Sequence, residues 1–140
     1  MKKISVGVIG PGNIGSDLMY KILRSEYLSM GIMAGIAHSD GIKRAASLGV
    51  EVSTQGVKAV TARGDIRIAF DATSASAHTK INGPALAAAG ILSIDLTPAA
   101  LGPYCVPSVN LATLRKEQDI NGANRAGILN ELFWHPRRKI

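Results

Sequence analysis

Apolar positions along the chain fall in short blocks separated by glycine-rich or polar breaks. Ile4-Ser5-Val6-Gly7-Val8-Ile9 is almost continuously apolar, the pattern of a strand buried on both faces. A glycine turn follows it. Ile14, Leu18 and Ile22 then recur at four-residue steps and predict a helix with one apolar face. Gly31 to Ala37 reads as a second strand. Ser39-Asp40 is a good N-cap pair for a second helix, and Gly49, just after Leu48, is a good stop. Val50 to Ser53 predicts a short third strand, Val57 to Ala62 a short helix ending near Gly64, and Ile66 to Phe70 a fourth strand. A helical stretch from about Ala77 to Ala89 is expected to break or kink near Asn82-Gly83-Pro84, because proline removes a helix hydrogen bond. Ile91 to Ile94 closes the series as a fifth strand. Strands alternating with helices at this spacing imply parallel strands joined by crossover helices, a doubly wound sheet.

The break after the first strand reads Gly10-Pro11-Gly12-Asn13-Ile14-Gly15. A glycine triplet at this spacing becomes specific when it leaves a strand and opens a helix. Gly10 permits the tight turn, Gly12 lets a pyrophosphate reach the backbone, and Gly15 allows close helix–strand packing. The amides of Asn13 and Ile14, at the positive end of the helix, are then presented to an anion. This is the dinucleotide-binding pattern of a Rossmann-type domain. Its usual acidic residue at the end of the second strand is missing, for that end reads Ile36-Ala37-His38-Ser39-Asp40. No carboxylate stands at Ala37, and Lys43 and Arg44 are near, so both NAD and NADP are expected to be accepted. Asp40 is expected to cap a helix, and His38 to be an exposed loop residue.

Asp71-Ala72-Thr73-Ser74 follows the fourth strand. Loops at the carboxyl ends of parallel strands line the ligand crevice, so these four residues join the expected cofactor site, with Thr73 or Ser74 also able to cap a helix. His78 is open to two readings, a base in the pocket or a structural histidine on the first helical turn. No spacing of Cys, His or Glu suggests a metal.

Composition narrows the class. At 140 residues, 46% hydrophobic and 4% aromatic, the chain has one domain's worth of core, built from Val, Ile, Leu and Ala. It lacks a run of about eighteen apolar residues, which argues against a membrane span, and its start lacks the length and cleavage site of a signal peptide. Cys105 is the single cysteine, so no disulfide framework exists within the chain, and the cytosol is the expected compartment. The net charge of +6 is uneven: residues 1–110 carry ten Lys/Arg and seven Asp/Glu, residues 111–140 six and three. The basic ending His135-Pro136-Arg137-Arg138-Lys139-Ile140 reads as a solvated terminus. It has no interleaved aromatics or helix-turn-helix pattern, which argues against nucleic acid. Strand–helix alternation is lost near Leu111, so the expected organisation is a dinucleotide-binding domain over 1–111 and a divergent basic tail over 112–140, where Gly127 to Trp134 can form a short helix.

Three segments, in order, carry a more specific resemblance: Val8-Ile9-Gly10-Pro11-Gly12-Asn13-Ile14-Gly15-Ser16-Asp17-Leu18-Met19, then Phe70-Asp71-Ala72-Thr73-Ser74-Ala75, then Ile94-Asp95-Leu96-Thr97-Pro98-Ala99-Ala100 with Gly102-Pro103-Tyr104. Together they resemble the NAD-binding part of acetylating acetaldehyde dehydrogenase. The resemblance implies conversion of acetaldehyde, CoA and NAD to acetyl-CoA and NADH, and an aldolase partner that delivers the aldehyde in aromatic-compound breakdown. The chain departs from the family at Ala37-His38, at Ser76 in place of a usual glycine, and downstream of the asparagine matched by Asn110. There the family carries a Cys-Gly-Gly-Gln segment with its nucleophile, and this chain reads Asn121-Gly122-Ala123-Asn124-Arg125-Ala126-Gly127-Ile128. The family's long second domain is not part of these 140 residues.

The missing thiol bears on mechanism, because the resemblance implies a thiolate that adds to the aldehyde carbonyl, releases hydride to NAD and keeps the acyl group as a thioester. Cys105, in Pro103-Tyr104-Cys105-Val106-Pro107, has no positive neighbour in sequence and matches a structural position of the family. The expectation is a C-terminally truncated, catalytically inactive relative that keeps its cofactor site, as a frameshift near residue 111 would produce. The alternative is a stand-alone NAD(H)-binding or sensing module.

Overall fold

The computed structural model describes residues 2–97 and residue 109. The expected boundary at 111, the tail 112–140, Cys105 and the family motif beyond Thr97 lie outside the described residues. Five parallel strands form one sheet in the order β3-β2-β1-β4-β5. They are β1 (Ile4–Ile9), β2 (Leu28–Ala34), β3 (Val52–Ser53), β4 (Ile68–Asp71) and β5 (Leu92–Asp95). Between them lie α1 (Asn13–Leu23), α2 (Asp40–Ser47), α3 (Val57–Thr61) and a composite helix of α4 (Ala75–Ala77), a π turn (His78–Asn82) and α5 (Gly83–Ala88).

Alternation along the strands builds a core on each face of the sheet. On one face Val6, Val8 and Met33 pack with Met19 and Ile22 of α1 and Ile42 and Ala45 of α2. On the other, Ile9, Ile32, Ala34 and Ala69 pack with Val57 and Val60 of α3 and Leu86 of α5. Side chains on successive strand residues point to opposite faces, so a strand with both faces covered must be apolar throughout. This is the doubly wound arrangement expected of a Rossmann-type fold.

Several boundaries differ from those expected. Strand β2 begins at Leu28 and ends at Ala34, three residues earlier at each end than Gly31 to Ala37. Pairing decides this: β1 recruits Leu28 opposite Ile4, and the chain turns away at Gly35, leaving Ile36 91% exposed. The buried residues of α1 are Gly15, Ser16, Met19 and Ile22, so of the expected stripe only Ile22 is fully inside. The helix is rolled toward its glycine, which presses on the sheet. The helix expected from Ala77 starts at Ala75, capped by Ser74, and the expected break at Asn82-Gly83-Pro84 takes the form of a π turn leading into α5 with Pro84 in its first turn.

Candidate functional site

The sheet order reverses direction at β1, whose neighbours are β2 and β4, and the loops leaving β1 and β4 flank a crevice at the carboxyl edge. That is the topological switch point where open α/β sheets bind ligands. A hollow of about 380 Å³ lies here, lined among others by Gly10, Pro11, Ile36, Val57, Thr73 and Asn82. A smaller one, between Pro11, Gly12, Ile36, Ala37 and Ser39, lies beside it. A larger hollow of about 860 Å³ occupies the opposite edge, among Lys2, Lys3, Glu51, Arg63, Asp65 and Arg67. There Arg63 is already engaged with Glu51 at 2.6 Å and Asp65 at 2.8 Å. Those bonds hold the Asp65 carboxyl well below the usual carboxylate range, Arg63 first and the Ser5 hydroxyl second. The 380 Å³ hollow at the carboxyl edge is therefore the better candidate.

Each glycine of the turn is used. Gly10 has φ +97°, its N–H donates to the Ala34 carbonyl at 2.8 Å, and a Cβ there would lie 2.6 Å from the Ala72 carbonyl oxygen. A Cβ on Gly15 would fall well inside 3.0 Å of the Gly10 carbonyl oxygen, so only glycine lets α1 lie this close to the turn. Gly12 is different: a Cβ there meets nothing within 4 Å. Gly12 is also the N-cap of α1, with no side-chain cap bond and no acidic residue in the first turn. The first helical bond runs from Ser16 N–H to the Gly12 carbonyl at 2.9 Å, so the amides of Asn13 and Ile14 precede it. The turn thus combines a rigid base with an open rim at the positive end of a helix. Pro11 lines both hollows and is gripped from behind, its ring against Gly35 and its carbonyl against Gly41.

The loop after β4 divides in two. Thr73 and Ser74 line the crevice, and Ser74 also accepts the Ala77 N–H at 3.1 Å as helix cap. Asp71 and Ala72 stand behind them. Ala72 N–H donates to the Ile9 carbonyl at 2.8 Å, tying this loop to β1. Asp71 is 0% exposed and accepts from Thr73 N–H at 3.0 Å, from the Thr73 hydroxyl and from His78 Nδ1 at 2.8 Å. His78 is thus bound to Asp71, and not one of the residues lining the hollow. At the ribose end, His38 is exposed as expected, and Ser39 is the cap of α2, accepting from Ile42 N–H at 3.3 Å, with Asp40 its first residue. Arg44 turns to Ser16 Oγ at 3.1 Å, and Lys43 sits 3.8 Å from Asp40. No carboxylate lines either carboxyl-edge hollow among the described residues.

Sequence reasoning did not anticipate Gly35, Gly41, Ile36, Val57, Ile81 or Asn82 here. Gly35 and Gly41 carried a signal, glycines placed around the end of the second strand, but their common contact with Pro11 is visible only in three dimensions.

Among the described residues no helix is long and apolar enough to cross a membrane, and no group of three or more His, Cys, Asp or Glu could hold a metal. No protein-family model matches the chain. Curated relatives do. An acetaldehyde dehydrogenase of Desulfitobacterium hafniense is 54% identical over 112 residues, 79% of this chain and 37% of the relative. One of Carboxydothermus hydrogenoformans is 46% identical over 126 residues, 89% of this chain and 42% of the relative. The chain spans about two fifths of the length of these relatives. Among solved structures, GenD2 from gentamicin A biosynthesis, in complex with NAD, matches with TM-score 0.61 at 18% identity, covering 91% of this chain and 33% of that one. Scyllo-inositol dehydrogenase from Lactobacillus casei matches with TM-score 0.61 at 17% identity, covering 85% and 33%. The chain is therefore similar, over most of its length, to the N-terminal part of acetaldehyde dehydrogenases, and carries that similarity on a Rossmann-type fold.

Proposed function

We propose that the chain binds NAD(H) in the carboxyl-edge crevice and serves as the dinucleotide-binding part of an acylating acetaldehyde dehydrogenase. The observation that carries this reading is the open backbone at Gly12, where α1 begins without a side-chain cap. A pyrophosphate supplies the acceptors that the Asn13 and Ile14 amides need, and the helix end favours its charge. The apolar wall of Ile36 and Val57 suits an adenosine, and Thr73 and Ser74 supply hydroxyls on the side nearer β4. Asp71 acts from behind by holding Thr73, and Ala72 by tying the loop to β1. Ala37 leaves the ribose 2′ position without a carboxylate, so NADP is accepted beside NAD. Calorimetric titration with NADH tests the reading, and a chain that gives no saturable binding refutes it.

The finer parts of the proposal concern chemistry and partners. As these 140 residues, the chain does not complete the acylating reaction, because that chemistry needs an activated thiolate and Cys105 is the single thiol. Support comes from Asn121 to Ile128, which holds no cysteine where the resemblance expects the nucleophile. An aldolase partner in aromatic-compound breakdown and a cytosolic location belong to the same proposal, resting on the resemblance alone.

A further inference from the structure

We propose that His78 and Asp71 are positioning residues for the dinucleotide: their buried bond holds Thr73 in the shape that lines the crevice. This rests on the dinucleotide reading above. Asp71 ends β4 and is 0% exposed, and a carboxylate taken out of water is tolerated only when its lone pairs are filled. Among the described residues, Thr73 and His78 supply its three hydrogen bonds. Oδ1 takes both the N–H and the hydroxyl of Thr73, and Oδ2 takes Nδ1 of His78 at 2.8 Å. Asn82, 6% exposed, then donates to Thr73 Oγ1 at 3.2 Å. Thr73 is thus held by its amide and its hydroxyl from below, and both Thr73 and Asn82 face the crevice.

The local backbone is built for this. His78 and Asn82, four residues apart at the two ends of the π turn, both reach the Asp71–Thr73 pair from one helix. Such turns cost helix regularity and recur at functional positions. His78 itself does not reach the ligand space. A Cβ on Gly83 would lie 3.5 Å from its Nε2, and Asp95 Oδ2 is 3.9 Å away, so that nitrogen faces α5 and β5. The histidine therefore acts through Asp71 and Thr73 and is not a catalytic base.

The test compares NADH affinity, by calorimetry well below the melting temperature, in wild type, His78→Phe, His78→Asn and Thr73→Val. Asparagine retains a short donor toward Asp71, phenylalanine retains the ring without one, and valine removes only the hydroxyl. His78→Phe and Thr73→Val are expected to weaken NADH binding about tenfold, the effect of losing one hydrogen bond to a charged group. His78→Asn is expected to restore affinity to within about threefold of wild type, on the same scale. A purely structural role would lower the melting temperature of these variants and leave the affinity of the folded fraction unchanged, which would overturn the proposal. Should His78→Phe fail to fold, His78→Ala, which removes the donor toward Asp71 without adding bulk and leaves the crevice lining unchanged, decides in the same two directions. Equal affinity in all folded variants refutes only the positioning role, whereas absence of NADH binding in wild type refutes the dinucleotide reading and this inference with it.

Discussion

Gly12 and Gly15 stand three residues apart in one turn, and the structure assigns them opposite sensitivities. Gly12→Val should leave the fold nearly intact. Its backbone, φ −76° and ψ −160°, lies where any residue is comfortable, and a Cβ meets nothing within 4 Å. Losing glycine at an N-cap costs on the order of 1 kcal/mol, and the reduced entropy of the unfolded chain offsets about half of that. Binding should suffer far more, because the valine methyls occupy the space through which a phosphate reaches the Asn13 and Ile14 amides. Two hydrogen bonds to a charged group at about 1.5 kcal/mol each amount to ~3 kcal/mol, roughly a hundredfold in affinity. Gly15→Ala should do the reverse. Its Cβ would overlap the Gly10 carbonyl, and forcing α1 outward costs about 1–3 kcal/mol. For a domain of this size each kcal/mol lowers the melting temperature by about 4–8 °C. Thermal melts paired with NADH calorimetry on both variants give the comparison. Undiminished NADH binding by folded Gly12→Val would place the pyrophosphate elsewhere. A Gly15→Ala chain that melts with wild type would refute the packing argument.

Three further outcomes are expected. Wild type should bind NAD and NADP with affinities within about threefold of each other, while Ala37→Asp should favour NAD by about tenfold or more through a carboxylate–ribose bond; calorimetry with both dinucleotides checks this, and a strong NAD preference in wild type contradicts it. The purified 140-residue chain should form no NADH from acetaldehyde, CoA and NAD above background, since the reaction needs an activated thiolate and Cys105, the single thiol, has no positive neighbour in sequence; turnover that disappears in Cys105→Ser would make Cys105 the nucleophile. Asp65→Asn should destabilise the chain at neutral pH and progressively less in acid, because the Arg63 guanidinium and the Ser5 hydroxyl hold the Asp65 carboxyl below its ordinary 3.8. A carboxyl depressed on folding contributes stability that is complete above the ordinary value and lost as pH falls below it. The melting difference between wild type and Asp65→Asn should therefore be constant above about pH 5 and shrink below 3.8; a difference that grows on acidification would reverse the assignment.

What could be read from the sequence alone was local in origin. Strand β1 is legible because a strand covered on both faces has no polar alternation. The Gly10–Gly15 turn is legible because each glycine answers a constraint within a few residues, and α2 because Ser39 caps it and Gly49, at φ +77°, ends it. Tertiary contacts decided the rest. Strand β2 starts at Leu28 because β1 is there to pair with it, and stops where Gly35 and Pro11 press together. The buried face of α1 is set by the approach of Gly15 to the Gly10 carbonyl and not by the Ile14, Leu18, Ile22 period. Asp71 and Thr73 are neighbours in one motif, yet one lies under the crevice and the other lines it. That separation rests on bonds from His78 and Asn82, which arrive from a later helix and which no periodicity announces. Propensities and caps act over about four residues and so leave their mark in the sequence, whereas burial of a carboxylate depends on partners that only the packed sheet and helices bring together.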